Sequence, residues 1–383
     1  MTAARIRFFT SAYPKDADDP AGRFILEMAV ALSSLGHGVH VESASGRCAT
    51  PGVCVSGFGN GNALYAPQGG GAAEQLARGG ARRWLAAAAV QGAALARGLA
   101  TRGQHTVSVG HWLVPSGPAA VVGGGRVVLY THGSDLALLE RLPGGRALAR
   151  GLDRSAHALV AVSADLEGRW RALLGGPGRA EVHVAPMGVS PPRPDAEALE
   201  RRLDAPLRRH VVVTVGRLVR QKGLDVLVRA LEGRTDVTWL AAGEGPERQA
   251  LAAQAGRLGV DLRLLGALGP GARDALLVRG TVFVLPSRGV DGRAEGAPVS
   301  LREALVAGRV CIASRVGGVP EQAAAPALVC VPPESPEALR AALDAVLDDA
   351  SARALAERAA REEGRALLWS QVIERHARLV LGS

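Results

Sequence analysis

Hydrophobic residues along the chain follow two alternating periods, and this pattern predicts a regular succession of strands and helices. Short apolar runs, such as Arg5-Ile6-Arg7-Phe8-Phe9, are typical of buried strands. The segments between them carry an apolar residue every three or four positions, as residues 23–35 do with Phe24, Ile25, Met28, Leu32 and Leu35. Strands that alternate with helices predict an α/β protein whose parallel sheets are covered by helices on both faces.

The succession runs twice. In the first half it predicts strands at 5–10, 39–41, 106–109, 126–130, 158–162 and 181–185, and helices at 23–35, 74–102, 144–153 and 163–173, with breaks near Gly79-Gly80 and Gly92. In the second half it predicts strands at 210–215, 236–241, 262–265, 281–285 and 309–313, and helices at 223–232, 246–258, 270–278 and 299–307. Residues 46–73 are rich in glycine and not periodic, so we expect an irregular, mobile surface region there.

A length of 383 residues favours two domains over one core. The stretch Ser190–Pro206 is rich in proline and charged residues, which is typical of a linker. We therefore expect a first domain at 1–195 and a second at 206–365.

Composition narrows the class of protein. No run of eighteen apolar residues occurs, and the chain starts on a strand without signal-peptide features, so we expect a cytoplasmic protein. Four cysteines (Cys48, Cys54, Cys311 and Cys330) lack a CxxC spacing and a histidine cluster. That pattern favours reduced thiols and gives no reason to expect a structural metal site.

The net charge of +9 is unevenly distributed. Between Gln75 and Ser155, ten arginines stand against three acidic residues, a local balance of +7. Arg82 and Arg83 beside Trp84 could contact anionic lipid head groups or a phosphorylated acceptor. A solvated arginine-rich face explains the same charge equally well. Nucleic acid is not expected, since no aromatic interleaving or binding motif accompanies the charge.

Two cations follow the first predicted strand of the second half. That strand ends at Gly216, and Arg217 and Lys222 come next, just before a helix. Of the 45 basic residues only Lys15 and Lys222 are lysines, so a lysine here is improbable by composition alone. A planar guanidinium and a compact ammonium group both suit phosphate oxygens. The alternative is a surface cation at the start of a helix.

Two carboxylates lie eight residues apart further along. Glu295 is predicted in a loop after the strand 281–285, and Glu303 in the helix 299–307. A diphosphate can dock on the N-terminus of such a helix, and a helical carboxylate can accept two hydrogen bonds from the hydroxyls of a ribose. The pair thus suits opposite ends of a sugar nucleotide. Alternatively, Glu303 only favours the helix dipole and Glu295 is solvated.

Together these motifs resemble the retaining family 4 glycosyltransferases of the glycosyl transferases group 1. The resemblance is carried in order by Gly216-Arg217-Leu218, Lys222-Gly223, Gly243-Glu244-Gly245-Pro246, Pro286-Ser287, Glu295 to Glu303, and Gly317-Gly318-Val319-Pro320-Glu321. It implies a GT-B fold, in which two Rossmann-like domains face a central cleft. It also implies transfer with retention of anomeric configuration, no required metal, and no cofactor apart from a nucleoside-diphosphate sugar of the UDP or GDP type.

The resemblance also implies roles for residues of the second domain. Arg217 and Lys222, beside Gly216, would hold the donor diphosphate, and the backbone amides of Val299 and Ser300 would meet its phosphates. Glu303 would bind the ribose, and Glu295 would contact the transferred sugar. One departure is Arg302, where the family commonly has an apolar residue.

The first half resembles the family more loosely, through Gly110–Gly117 and Thr131-His132-Gly133-Ser134-Asp135. His132 would lie near the reacting carbon, and Gly22 is the candidate for phosphate approach in the first loop. Residues 366–383 resemble a closing helix that crosses back onto the first domain.

The expected function is transfer of a sugar to an acceptor hydroxyl, in polysaccharide, glycolipid or natural-product biosynthesis. The acceptor would bear a sugar or be lipid-linked, with peripheral contact to the inner face of the plasma membrane. A sugar-nucleotide epimerase of the same architecture and a catalytically silent, partner-binding relative are alternatives. A dinucleotide oxidoreductase is a third, although no GxGxxG follows a predicted strand.

Overall fold

The computed structural model describes residues 3–58, 80–290 and 293–382. The chain divides into two compact units, one formed by Met1–Gly188 with Trp369–Ser383 and the other by Val189–Leu368. Each unit is built on a parallel sheet with helices on both faces, as the alternating pattern predicts.

The first unit has a seven-stranded sheet in the order β3-β2-β1-β4-β5-β6-β7. Its strands are β1 (Arg5–Thr10), β2 (Gly38–Ser43), β3 (Val53–Gly57), β4 (Val107–His111), β5 (Arg126–Thr131), β6 (Ala158–Ala161) and β7 (Glu181–Val184). The helices that precede the second unit are α1 (Arg23–Ser34), α2 (Ala81–Ala100), α3 (Ser116–Gly123), α4 (Ser134–Arg141), α5 (Gly145–Ser155) and α6 (Ala164–Leu174).

The second unit has a six-stranded sheet in the order β10-β9-β8-β11-β12-β13. Its strands are β8 (His210–Val215), β9 (Val237–Ala242), β10 (Asp261–Gly266), β11 (Val282–Leu285), β12 (Val310–Ser314) and β13 (Leu328–Val331). Its helices are α7 (Ala196–Glu200), α8 (Leu224–Ala230), α9 (Arg248–Arg257), α10 (Pro270–Arg279), α11 (Val299–Val306), α12 (Pro336–Leu347) and α13 (Ala350–Ala366), with 3₁₀ turns at Arg220–Lys222 and Val319–Glu321.

The core of the second unit explains why its strands appear in the sequence as continuous apolar runs. Val212 belongs to a hydrophobic cluster on one side of the sheet. Its neighbours Val211 and Val213 belong to a separate cluster that includes Phe283 and Leu301. Because both faces of the sheet are covered, successive residues of a central strand are buried, and most of them are apolar.

The last helix, α14 (Trp369–Leu381), packs on the first unit against α1 and the central strands. Its His376 ring accepts a hydrogen bond at Nδ1 from the hydroxyl of Tyr130 (2.9 Å) and donates from Nε2 to the carbonyl of Pro186 (3.1 Å). The Trp369 ring donates to Glu27 (3.1 Å). The helix resembling a closing segment, at 366–383, thus lies with the first unit.

The predicted linker differs from what the structure shows. Residues Val189–Leu368 belong to the second unit, where the Val189 amide donates to the carbonyl of Leu367 (2.9 Å). The Asp195 amide likewise donates to the carbonyl of Gly271 (2.9 Å). Residues Ala196–Glu200 form α7, whose Leu199 is buried in a hydrophobic cluster of the second unit, so this polar stretch is packed onto that unit. The change of unit falls at 188/189 and again at 368/369. The second unit thus begins 17 residues before the expected position 206 and ends three residues after the expected position 365.

Two other expectations need correction. Helix α2 runs unbroken through Gly92, because one interior glycine costs only about 1 kcal/mol and the flanking alanines are good helix formers. Within the segment expected to be irregular, residues 53–57 form the edge strand β3, which pairs with β2. That short strand is held by backbone pairing with β2. It was not predicted because the glycine-rich sequence around it shows no strand period. Residues 59–73 of the same segment lie outside the described residues.

Candidate functional site

Arg217, Lys222 and Glu295 lie at the carboxyl edge of the second sheet, where the strand order reverses. Consecutive connections run outward from β8 to β9 and β10 on one side and from β11 to β12 and β13 on the other. The loops after β8 and β11 therefore flank the switch point, which is the usual ligand site of an open parallel sheet. Arg217 and Lys222 follow β8, and Glu295 follows β11.

Lys222 and Glu295 form a direct ion pair. The ammonium nitrogen of Lys222 lies 2.6 Å from Oε1 of Glu295, and the Ser287 hydroxyl donates to the same oxygen at 2.6 Å. Burial would raise the pKa of the Glu295 carboxyl. The Lys222 charge, these hydrogen bonds and the nearby Arg217 outweigh burial and hold that pKa below its usual range. Glu295 is therefore an ionised, nearly buried carboxylate.

Glycines bring the two loops close enough for this pair. Gly223, next to Lys222, has a φ of +61°, and a Cβ there would lie 2.0 Å from the carbonyl oxygen of Pro286. Gly317 has a φ of +51°, and its Cβ would lie 2.2 Å from the carbonyl oxygen of Glu295. Only glycine fits either position, so these motif glycines serve close backbone approach.

Gly216, the last residue before the cations, has a φ of +153°. Its carbonyl oxygen would lie 1.9 Å from a Cβ on Gly243, the residue that follows β9. The amide of Gly216 donates to the carbonyl of Ala242 (3.0 Å). The loop that carries Arg217 is thus aligned by the neighbouring strand, and Arg217 itself is exposed.

Glu303 lies on α11, apart from the Lys222–Glu295 pair, and has a partner that the sequence did not suggest. Its Oε1 is 2.8 Å from Nη2 of Arg273 on α10, and both side chains are largely buried. Val299 and Ser300 are the first two residues of the same helix. Amides at such positions have no intrahelical acceptor and can bind an anion.

In the first unit, His132 follows β5 and is held by the loop around it. The Asp135 carboxylate accepts hydrogen bonds from the amides of His132 (3.2 Å), Gly133 (2.9 Å) and Leu113 (2.8 Å), and from the Thr131 hydroxyl (3.1 Å). Burial raises the pKa of Asp135 even though these bonds oppose it. The carboxyl group therefore joins the loops after β4 and β5.

The ring of His132 is surrounded by aromatic side chains. Phe24 and Trp112 each lie 5.0 Å away between ring centres, and Nε2 of His132 is 3.2 Å from Nδ1 of His111. Burial, reinforced by His376, lowers the pKa of His132 to about 3, so the ring is neutral. Trp112 adopts a φ of +66°, a strained conformation for a residue that is not glycine.

Gly22 lies immediately before α1, in the loop that follows β1. It has a φ of +68°, and a Cβ there would lie 2.4 Å from the carbonyl oxygen of Ala12. This loop requires glycine because the chain folds back on itself before the helix begins. The switch point of the first sheet lies between β1 and β4, so Gly22 and Trp112 belong to loops that flank it.

Within the described ranges, one group of three residues has the spacing for a metal ion: His210, Asp236 and Asp348. The two carboxylates already bind the Arg234 guanidinium, at 2.9–3.0 Å and 2.8–3.0 Å. A cation would have to displace that arginine, so this cluster is an arginine-centred ion-pair network. No helix in the described part of the chain is long and apolar enough to cross a bilayer.

Comparison with known proteins identifies the second unit. Residues 195–363 match the family described as "Glycosyl transferases group 1". These residues form a glycosyl transferases group 1 domain. The Lys222–Glu295 pair, Glu303 and the glycine turns all lie inside it.

Two relatives extend the similarity beyond the group 1 domain. The chain is 32% identical over 238 residues to a GDP-mannose-dependent alpha-(1-6)-phosphatidylinositol monomannoside mannosyltransferase of Mycolicibacterium smegmatis, covering 57% of this chain and 61% of that protein. It is 32% identical over 246 residues to the putative teichuronic acid biosynthesis glycosyltransferase TuaC of Bacillus subtilis, covering 61% and 59%. The chain thus spans about three fifths of the length of these relatives.

Solved structures match the whole fold. Sucrose-phosphate synthase from Thermosynechococcus elongatus superposes with a TM-score of 0.74 at 17% identity, covering 99% of this chain and 98% of the other. Anabaena HepE, in complex with UDP and glucose, gives a TM-score of 0.73 at 17% identity, covering 99% and 100%. The fold is GT-B, with a group 1 domain as its second unit.

Proposed function

We propose that this protein transfers a sugar from a nucleoside-diphosphate sugar to an acceptor hydroxyl, with retention and without a metal ion. The observation that carries the proposal is the ion pair of Lys222 and Glu295, with Arg217 nearby, at the switch point of a group 1 domain. The relatives are named as glycosyltransferases of glycolipid and polysaccharide synthesis, which supports the same class of reaction.

Transfer breaks the bond between the anomeric carbon and a phosphate oxygen, and negative charge accumulates on the departing diphosphate. Lys222 and the exposed Arg217 are cations fixed on one loop, and fixed charges stabilise the departing group without reorganisation. The amides of Val299 and Ser300, in the first turn of α11, would add donors for the phosphates. In this proposal these cations and amides stabilise the charge of the departing diphosphate, so transfer requires no metal ion.

Glu295 has one oxygen to offer the sugar. Lys222 and Ser287 both bond to Oε1, so Oε2 is the oxygen that would accept a sugar hydroxyl. Glu303 would bind the ribose while Arg273 holds its Oε1 and orients the carboxylate. In the first unit, the neutral ring of His132 would offer a hydrogen bond to a sugar hydroxyl without adding positive charge.

The donor nucleotide would be of the UDP or GDP type. A relative named for GDP-mannose and a similar structure holding UDP support that range of bases. A thermal-shift screen of UDP, GDP and ADP, followed by their sugars, tests the proposal. We expect one diphosphate to raise the melting temperature, and EDTA to leave turnover of the matching sugar unchanged. If none of the three raised the melting temperature, the proposed donor site would be wrong.

The acceptor would be presented at an anionic membrane surface. On α2, the exposed residues Leu85, Ala88, Ala89, Gly92, Ala96 and Leu99 form an uncharged face. Trp84 is 45% exposed at the beginning of this helix, next to the exposed Arg82, while the side chain of Arg83 lies outside the described part. An apolar helix face with arginine and tryptophan at one end suits the boundary between head groups and acyl chains. A phosphatidylinositol-based acceptor in the name of the M. smegmatis relative agrees with this choice.

A further inference from the structure

Arg302 in the group 1 domain is buried, and none of the described residues gives it a counter-charge. Arg302 on α11 is 3% exposed, and its Nη1 donates to Oε1 of Gln322 at 3.0 Å. In the described part of the chain no carboxylate lies within ion-pair distance of Arg302, and burial alone lowers its pKa to about 10. The guanidinium is therefore a charged group at neutral pH, and its Nε lacks a hydrogen bond.

Such an arrangement does not maximise stability. A buried charge without a partner is costly, and two apolar side chains would fill the same space more favourably. Gln322 is as buried as Arg302, at 3% exposure. The Arg302–Gln322 pair therefore calls for a role beyond packing.

The pair is connected to the main chain of Glu295 by successive hydrogen bonds. Nε2 of Gln322 donates to the carbonyl of Gly318 (2.7 Å), and the Gly318 amide donates to the carbonyl of Glu295 (2.9 Å). An arginine can only donate and a carbonyl can only accept, so Arg302 and Gly318 together determine which way the Gln322 amide faces. The carbonyl and the amide of Gly318 belong to adjacent peptide groups, so the two bonds fix the backbone of Gly318 from both sides.

We propose that Arg302 and Gln322 are positioning residues, which hold Gly318 and through it the Glu295 loop, so that the Glu295 carboxylate stays against Lys222. The inference rests on the proposed function only for the roles of Glu295 and Lys222. The geometry by which the pair acts on the loop is independent of the donor and the acceptor.

The decisive variant is Gln322→Glu. It keeps an acceptor for Arg302 and supplies the missing counter-charge, but it cannot donate to the carbonyl of Gly318. We expect an undiminished melting temperature together with a fall in kcat of about tenfold or more, since Glu295 is displaced. Affinity for the free nucleoside diphosphate, UDP or GDP as the thermal screen selects, should change less than about twofold.

A second variant distinguishes loss of positioning from a simple folding defect. Arg302→Leu/Gln322→Leu removes both polar groups and leaves apolar packing, so its melting temperature should equal or exceed that of the native protein. We expect the same fall in kcat as in Gln322→Glu. Native kcat in the double variant would overturn the proposal, because packing alone would then suffice.

A titration separates this inference from the proposed function. The pKa of Glu295, followed by ¹³C NMR of labelled glutamate carboxyls and assigned with Glu295→Gln, should rise by about half a unit or more in both variants. Lys222 would no longer lie against the carboxylate. An unchanged pKa in Gln322→Glu overturns the positioning role even if transfer falls. Wild-type protein that shows no transfer would instead refute the proposed function, and the titration would still decide the positioning.

Discussion

The ammonium group of Lys222 lies 2.6 Å from the carboxylate of Glu295, although 73 residues separate them. The motif assigned one to the diphosphate and the other to the sugar. The ion pair couples the two side chains in stability, because each charge neutralises the other. Removing either one leaves a nearly buried charge without its partner.

This relationship predicts non-additive stability. In a double-mutant cycle of Lys222→Met and Glu295→Gln, we expect a coupling free energy of about 1–3 kcal/mol in the unfolding measured by urea titration. The single variants should each be destabilised, and the double variant should recover part of the loss. Strictly additive effects would mean that the pair contributes nothing to the loop arrangement.

The cations of the loop after β8 should dominate catalysis. We expect Lys222→Ala and Arg217→Ala each to lower kcat/KM by about 100-fold or more, since both stabilise charge on the departing diphosphate. Arg220→Ala is the matched control, because Arg220 is an exposed cation on the same loop. Turnover by both site variants within about threefold of the native enzyme would contradict the phosphate assignment.

The two glutamates should act on different parts of the donor. Glu303→Gln is expected to weaken binding of the free diphosphate and of the intact donor alike, by about tenfold, through loss of ribose hydrogen bonds. Glu295→Gln should leave diphosphate affinity nearly unchanged and impair transfer. Calorimetry with the diphosphate alone, compared with turnover of the full donor, measures both effects.

Arg273→Gln refines that comparison. It removes the partner of Glu303 without touching the loop that carries Glu295. We expect it to resemble Glu303→Gln in diphosphate binding. Should Glu295→Gln bind the bare diphosphate much more weakly than the native protein, the division between the glutamates would be mistaken.

The neutral state of His132 predicts a pH dependence of stability. Its pKa is about 3 in the folded protein and near 6.5 when unfolded, so below pH 6.5 the unfolded chain binds a proton that the folded chain does not. Stability is therefore lost as pH falls from 6.5 towards 3. His132→Phe keeps an aromatic ring and removes this penalty.

As the pH falls from 7 to 5, we expect the melting temperature of His132→Phe to decrease less than that of the native protein. When the free energy of unfolding is plotted against pH, the slopes of the two proteins should differ by at most about 1.4 kcal/mol per pH unit. Histidines that do not interact with His132 contribute equally to both proteins and cancel in the comparison. The pKa of His111, which burial and the neighbouring His132 both lower, changes in the same direction as the main effect. Parallel pH profiles would show that His132 is readily protonated in the folded state.

Membrane contact through α2 predicts selective binding to anionic vesicles. We expect co-sedimentation with vesicles containing phosphatidylglycerol at low salt, weaker binding to neutral phosphatidylcholine, and loss of binding in Leu85→Glu/Leu99→Glu. Both leucines are exposed, so the double change should leave the melting temperature nearly unaltered. Leu355→Glu, at an exposed leucine of the second unit, is the control. Equal, poor binding to both kinds of vesicle would exclude this surface.

The sequence by itself determined the two parallel sheets and the residues that border the switch point of the second. Strand and helix periods are local properties, and parallel strands bring their carboxyl ends to one edge, so Arg217, Lys222 and Glu295 were predictable at the same edge of the sheet. The glycine turns were visible as motifs too. Short elements such as β3 and β13 were not predicted from the sequence, since backbone pairing supplies much of their stability.

Only the tertiary structure decided which side chains are bonded. Glu295 accepts hydrogen bonds from Lys222 and Ser287, Glu303 is held by Arg273, and Arg302 reaches the Glu295 loop through Gln322. None of these partners follows from spacing along the chain. They depend on which strands are neighbours, on how closely glycine lets two loops approach, and on which rotamers the surrounding core leaves open, because hydrogen bonds and ion pairs act over only a few ångströms.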